Sequence, residues 1–319
     1  METLPRTEMT SRSATLTDRI RGAVDRRRLI RTRGGSARRI AARLQAGLGS
    51  VGQVFSRKAS FLAGACAVWR RVKVPLTPTR PRGGNVMAKS EQYEIQGRAV
   101  DLPAVVRDAS TGSVMYMVDR VGTQELIPDA FEAVEAAPGQ TQLTLVIVDY
   151  RDNDLGDYDE VGIVFFVRPA GRPDADVGTY IYKLPVNQSF TCEAGCRIWG
   201  FPKSVEDIDF AYADDRATCR LIMDGRHVLT LTVPRGGDGE TPDESAVGYT
   251  LIDGIPHSNV FTRGGRGEQT IPGGAGVVLE LGDHPIAEEL RSLGLPDAVP
   301  LLSAWSEHMT GSFGASTKL

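Results

Sequence analysis

The spacing of apolar residues changes character near residue 90. Beyond that point they fall into short runs that alternate with polar residues or are apolar throughout, the period of extended chain. Val114–Val118, Thr141–Tyr150, Val161–Val167, Thr179–Leu184, Cys219–Met223 and Val228–Val233 read as strands. Turn residues stand between them at Pro138-Gly139, Asp152-Asn153-Asp154, Gly171-Arg172-Pro173 and Asp224-Gly225. The last is a strong two-residue hairpin signal. Three segments read as helices: Asp119–Leu126, Ser189–Trp199 and His284–Leu293. Ser189 or Thr191, with Glu193 in the first turn, suits the start of the second. Many short strands and few helices predict a mainly β fold, an antiparallel β-barrel or closed sandwich with a few peripheral helices. A barrel interior can enclose a small-ligand cavity. No internal repeat is evident.

The first 86 residues have another pattern. Leu16, Ile20 and Val24 recur at helical spacing, so Leu16–Ile30 could lie on an anionic surface as a basic amphipathic helix, with Ile40–Leu44 adding a turn or two. The net charge of −3 hides a sharp segregation. Residues 1–86 hold 19 Lys/Arg against 4 Asp/Glu, and residues 87–319 hold 18 against 36. The division is therefore a basic, Arg-rich extension over 1–86 and an acidic domain over 87–319. The extension buries little apolar area against its ordering cost, so disorder is expected. It could contact membrane or nucleic acid, act as an organelle transit peptide, or not be translated at all, since Met87-Ala88-Lys89 would serve as a start. The acidic domain itself is a poor nucleic-acid binder.

No apolar stretch reaches the roughly 20 residues of a transmembrane helix. Four cysteines are too few for a disulfide framework. Cys192-x3-Cys196 has no second Cys or His pair nearby, so buried free thiols are the simpler reading than a metal site. A cytoplasmic protein without a metal is expected.

The densest chemistry lies in Gly195-Cys-Arg-Ile-Trp-Gly-Phe-Pro-Lys-Ser204. Trp199, Phe201 and Pro202 precede Lys203, in a domain whose other lysines are only Lys89, Lys183 and Lys318. A lysine among apolar groups loses hydration of its ammonium, which lowers its pKa. The neutral amine can then attack a ketone to form an iminium, an electron sink for breaking a neighbouring C–C bond. Spacing alone leaves a second reading open, a surface lysine with its stem packed and its head in water. The acidic stretch Asp149–Glu160 could hold a hard cation but lacks the EF-hand spacing, and a solvated turn is the simpler reading. Glu160 differs, because it opens the apolar run Val161–Val167, where its carboxylate could enter a cavity and move a proton. The four histidines form no ligand cluster, and the run Arg263-Gly-Gly-Arg-Gly267 reads as a flexible loop.

At Phe201-Pro202-Lys203 the sequence resembles the acetoacetate decarboxylase family, whose reactive segment reads Tyr/Phe-Pro-Lys-Lys after a Gly-led helix. Gly156-Asp-Tyr-Asp-Glu-Val-Gly162 resembles the family's glutamate-bearing Tyr-x-Glu segment. Tyr249-Thr-Leu-Ile-Asp-Gly-Ile-Pro256 resembles its later strand, and Tyr116-x-x-Asp119 with Leu126-Ile-Pro128 its early strand and helix. These landmarks span roughly residues 93–262 in the family's order. The resemblance implies an antiparallel barrel, a homo-oligomer, and conversion of acetoacetate to acetone and carbon dioxide without a cofactor. Lys203 would be the Schiff-base nucleophile and Glu160 the acidic partner. Trp199, Phe201, Ser204, Met117 and Tyr116 would line the substrate pocket.

Two positions depart from the family. Its second lysine is Ser204 here, and its carboxylate-binding arginine falls at Met117, with Arg107, Arg120 and Arg151 as candidate replacements. Three functions are open to such a chain. The first is a lyase acting on a β-keto acid or related carbonyl compound, with aldol-type condensation or dehydration through the same iminium as its variant. The second is a non-catalytic small-molecule-binding barrel. The third is a membrane-surface or scaffold role carried by the basic extension.

Overall fold

The computed structural model describes residues 91–319. The boundary expected at 86/87, the basic helices and Cys66 lie outside the described residues. The order is a hairpin of β1 (Gln92–Ile95) and β2 (Arg98–Asp101), then β3 (Ala104–Asp119), α1 (Arg120–Leu126), β4 (Phe131–Ala133), β5 (Gln140–Asn153), β6 (Tyr158–Pro169) and β7 (Gly178–Val186). Next come α2 (Ser189–Ala194), a π-helical turn (Gly195–Trp199), β8 (Lys203–Val205), β9 (Asp207–Tyr212), β10 (Arg216–Met223) and β11 (Arg226–Pro234). The chain ends with β12 (Gly239–Ile252), β13 (Ile255–Pro272), β14 (Val278–Leu281), α3 (Pro285–Ser292) and β15 (Leu302–Lys318). No helix among the described residues is long and apolar enough to cross a membrane.

Local chemistry explains the joints. Asp224 and Gly225 both take positive φ, 51° and 69°, and join β10 to β11 with Met223 opposite Arg226, as a two-residue hairpin turn requires. Asp119 caps α1 by accepting from the Gly122 N–H at 2.6 Å, and His284 caps α3. The cap of α2 is neither Ser189 nor Thr191 but Gln188, whose side-chain oxygen accepts from the Thr191 N–H at 2.6 Å. The run Arg263–Gly267, expected to be a loop, lies inside β13, paired with β15 on one side and β12 on the other. Its glycines permit close packing there; a Cβ on Gly265 would lie 2.4 Å from the Ser306 hydroxyl.

Seven strands close into a barrel in the order β6-β5-β3-β15-β13-β12-β7, with β7 pairing back onto β6. All pairings in this ring are antiparallel except β7 with β12. A separate sheet, β14-β11-β10-β9, packs on the outside. Four strands cannot fit within a ring of seven, so the barrel face they cover is the exterior. That face carries Val114, Tyr116, Leu143, Leu145, Ile147, Val161, Ile163 and Trp305, packed with Leu221, Leu229 and Val233 of the outer sheet. The alternate residues then face the interior. Near one end of the barrel these are Ala109, Val148, Tyr150, Tyr158 and Met309. They form a second core with Phe190, Ile198 and Trp199 from α2 and its π-turn, and with Ile95 and Val100 from the β1–β2 hairpin. The helix and hairpin thus cover that end.

Leu145 is fully buried between barrel and outer sheet. Leu145→Ala should lower the unfolding free energy by about 2–5 kcal/mol in urea titration. Val121→Ala, at a position 62 % exposed on α1, should change it by less than about 0.5 kcal/mol.

Candidate active site

Lys203 reaches the barrel through a sequence of local constraints. The helix begun at Ser189 widens into a π-turn over Gly195–Trp199, a device often found beside functional groups. It stops at Gly200, which adopts φ 68° and lies so near β12 that a Cβ would sit 2.4 Å from the Leu251 carbonyl oxygen. Only glycine satisfies both demands. Pro202 prevents the helix from resuming, and the chain enters β8, which pairs in parallel with β7 at Leu184 opposite Lys203. The lysine stem runs back across Gly195, where an added Cβ would meet Lys203 Cδ at 2.6 Å. Gly195 is therefore what lets the stem pass.

At the end of that stem the ammonium is almost fully enclosed, with 3 % of the side chain exposed. Its Nζ lies 2.9 Å from Glu160 Oε2 and donates to Thr191 Oγ1 at 2.9 Å. It also sits 4.8 Å from the centre of the Tyr158 ring. The other Glu160 oxygen accepts from the Tyr150 hydroxyl at 3.3 Å. Tyr150 stacks on Tyr158, with ring centres 4.5 Å apart. The register explains the cluster: Tyr150 pairs with Tyr158, and Val148 with Glu160, across the β5–β6 hairpin.

The electrostatics depart from the expectation drawn from apolar surroundings. Burial pulls the Lys203 pKa down, but the Glu160 carboxylate beside it, assisted by Tyr158, pushes it up, and the net direction is above the ordinary lysine value. Lys203 rests as an ammonium. Burial, with Glu160 next, drives the Tyr150 hydroxyl well above the usual phenol value. Burial likewise raises Tyr158, although the Lys203 charge opposes it. Both phenols keep their protons and are available as donors.

The residues matched to a substrate pocket divide in two. Trp199 and Phe201 stack with centres 5.7 Å apart in the same interior core as Tyr150 and Tyr158, and both meet Phe313 edge-on. Tyr116 is on the exterior face, packed into the core shared with the outer sheet. Ser204 comes directly after Lys203 in β8, so the strand period turns its side chain the opposite way. Met117 lies six residues along β3 from Thr111, which is aligned with Glu160 through Val148. That is about 20 Å along the strand, outside the Lys203 cluster.

Two of the candidate arginines are engaged elsewhere, and the third lies away from the cluster. Arg107 pairs with Asp152 and Asp154, and Arg151 with Asp108 and Ser110. Arg120 opens α1, at the far end of β3. The acidic loop is tied up in the same contacts: besides Asp152 and Asp154, Asp149 accepts from the Tyr212 hydroxyl at 2.6 Å and Asp159 from Asn187 at 2.8 Å. Sequence reasoning assigned no site role to Tyr150, Thr191 or Gly195, and had Tyr158 only as the tyrosine of the Tyr-x-Glu segment. The two tyrosines bracket the acidic turn at matched distances from the hairpin tip, a signal that could have found Tyr150.

The family profile described as acetoacetate decarboxylase (ADC) matches residues 92–311. Comparison with curated proteins gives no significant match. Among solved structures, acetoacetate decarboxylase from Legionella pneumophila superposes with a TM-score of 0.52 at 17 % identity, over 76 % of this chain and 93 % of that one. A second acetoacetate decarboxylase structure gives 0.48 at 18 % identity, over 79 % and 96 %. The enduracididine biosynthesis enzyme MppR, complexed with pyruvate, gives 0.48 at 15 % identity, over 68 % and 90 %. The profile match spans most of the described domain, and the Legionella likeness agrees with its barrel. The chain belongs to the acetoacetate decarboxylase family.

Proposed function

We propose that the protein is a Schiff-base-forming enzyme acting on a small β-keto acid or related carbonyl compound through Lys203. The observation that carries this reading is the burial of Lys203 Nζ at 2.9 Å from Glu160 inside the barrel. A structural lysine after Pro202 would keep its head in water. A binding barrel gains little from a buried ion pair, which packed apolar residues often match or exceed in stability.

The pair supplies a route for the proton. Amine attack needs neutral nitrogen, so the ammonium passes a proton across the 2.9 Å contact to Glu160 as a carbonyl compound enters. The amine nitrogen bonds to the carbonyl carbon and gives up one of its two protons, relayed through the neighbouring Tyr158 hydroxyl; the oxygen leaves as water carrying that proton and the one held by Glu160. The resulting iminium draws in the electron pair of the bond to the carboxyl carbon. Carbon dioxide departs, the enamine is protonated on carbon, and water hydrolyses the imine to release ketone and Lys203. With acetoacetate the products are acetone and carbon dioxide. No metal or organic cofactor enters this sequence. The working form we expect is a cytoplasmic homo-oligomer.

Borohydride reduction in the presence of acetoacetate or pyruvate should leave a stable adduct on the Lys203 peptide, absent in Lys203→Ala. Peptide mass mapping that finds no adduct with any small carbonyl compound tried would sink the proposal. The proton route gives a second expectation. In 13C-lysine-labelled protein, the Lys203 resonance should stay in its ammonium form beyond pH 10.5, the ordinary lysine value. In Glu160→Gln the larger upward push is gone while burial remains, so the titration midpoint should fall below that of the wild-type protein. An unchanged midpoint would remove Glu160 from its role.

A further inference from the structure

Arg263 is an interior residue whose chemistry the Lys203–Glu160 pair leaves unexplained. It pairs across β13–β15 with Gly311, and Gly311 pairs with Val106 of β3, a member of the interior core. Paired residues share a face, so Arg263 points into the barrel. Phe261, two residues before it on the same face, stacks on Phe313 with centres 5.9 Å apart. Phe313 in turn meets Trp199 and Phe201, so an aromatic group lies on the helix-covered side of the guanidinium.

Among the described residues no hydrogen bond satisfies this guanidinium. Its nearest anion is Glu268, at 3.9 Å, beyond hydrogen-bond range, and Glu268 already accepts from the Thr241 hydroxyl. Burial pulls the Arg263 pKa down, and Glu268 and Tyr150 only partly oppose it. An arginine does not discharge in a protein, so its unbonded donors are available to an anion. With 35 % of its side-chain surface open, a ligand can reach it. The register links the two charges: Glu268, the carboxylate beside Arg263, is aligned with Glu160, the partner of Lys203, through Ser306, Thr111 and Val148 on the interior face.

We propose that Arg263 is the carboxylate-binding residue of this site, holding the acid group of a short keto acid while its carbonyl carbon faces Lys203. The inference rests on the imine reading above for the second half of that statement only. The planar guanidinium fork matches a carboxylate in two parallel hydrogen bonds. This places the anion handle on β13, in the glycine-rich run, and not at the β3 position where the family arginine would fall. The substrate class becomes a monocarboxylic acid with a carbonyl near the acid group. Neutral ketones of the same length would bind less well.

The test separates acid recognition from imine chemistry. 3-Hydroxybutyrate carries the carboxylate but no carbonyl, and calorimetry reports its binding directly. Wild-type protein should bind it, Arg263→Gln at least tenfold more weakly, and Arg263→Lys in between, because charge is kept and the fork is lost. In borohydride trapping, the ratio of half-saturating concentrations for methyl acetoacetate over acetoacetate should fall at least tenfold in Arg263→Gln. A purely structural role would weaken acid and ester together. Equal binding of 3-hydroxybutyrate by wild type and Arg263→Gln, or none by wild type, overturns the proposal. If the variants discriminate 3-hydroxybutyrate but no carbonyl compound is trapped, the imine reading fails and the carboxylate site stands.

Discussion

A lysine and a glutamate held 2.9 Å apart inside a β-barrel constrain everything around them. Two charges taken from water cost several kcal/mol each, and their attraction offsets this only if the remaining donors and acceptors are also satisfied. Here Thr191 accepts a hydrogen bond from the ammonium, and the Tyr150 hydroxyl donates to the far carboxylate oxygen. Both partners must therefore arrive from different parts of the chain in one geometry. The pair also sets the resting state: Glu160 keeps Lys203 charged.

The fold meets that demand by closing the barrel where the two residues meet. Glu160 pairs with Val186 of β7, and β7 pairs with β8, which begins at Lys203. Without the β6–β7 contact the sheet would be open and the two side chains would have no shared interior. The helix that delivers the lysine ends in a glycine that no other residue can replace sterically, and the stem passes a second glycine without a side chain to obstruct it. The outer sheet and α3 thicken the wall on the opposite face of β3, β5 and β6, which makes those strands a rigid support.

Much of this was legible beforehand because the signals are local. Asp224-Gly225 dictates its hairpin, and strands such as Val161–Val167, buried apolar runs with turns at both ends, identify themselves. Lys203 and Glu160 stood out through the motifs around them, although only folding could show that they touch. Other features depend on register, which sequence does not state. Tyr116 and Met117 are adjacent, yet the two-residue period puts one outside the barrel, and distance along β3 removes the other from the site. β15 escaped recognition, and β12 and β13 were seen only where Tyr249–Pro256 resembles the family's later strand, because much of their length is polar or glycine-rich, with pairing on both sides in place of a continuous apolar face. Arg263 was hidden for the same reason, inside a run whose composition imitates a loop. The Lys203 pKa was misjudged because the sequence shows its apolar neighbours but not the carboxylate that folding brings beside it.

The central claim is that Lys203 replaces a substrate's carbonyl oxygen with its own nitrogen. Oxygen exchange tests this whatever the fate of the imine. A small ketone or keto acid labelled with 18O at the carbonyl is incubated with the protein in ordinary water, and label retention is monitored by mass spectrometry. Wild-type protein should wash out the carbonyl label far faster than the buffer alone, and Lys203→Arg should not. Retention of the label in the presence of wild-type protein, at the rate of uncatalysed hydration, would contradict the account.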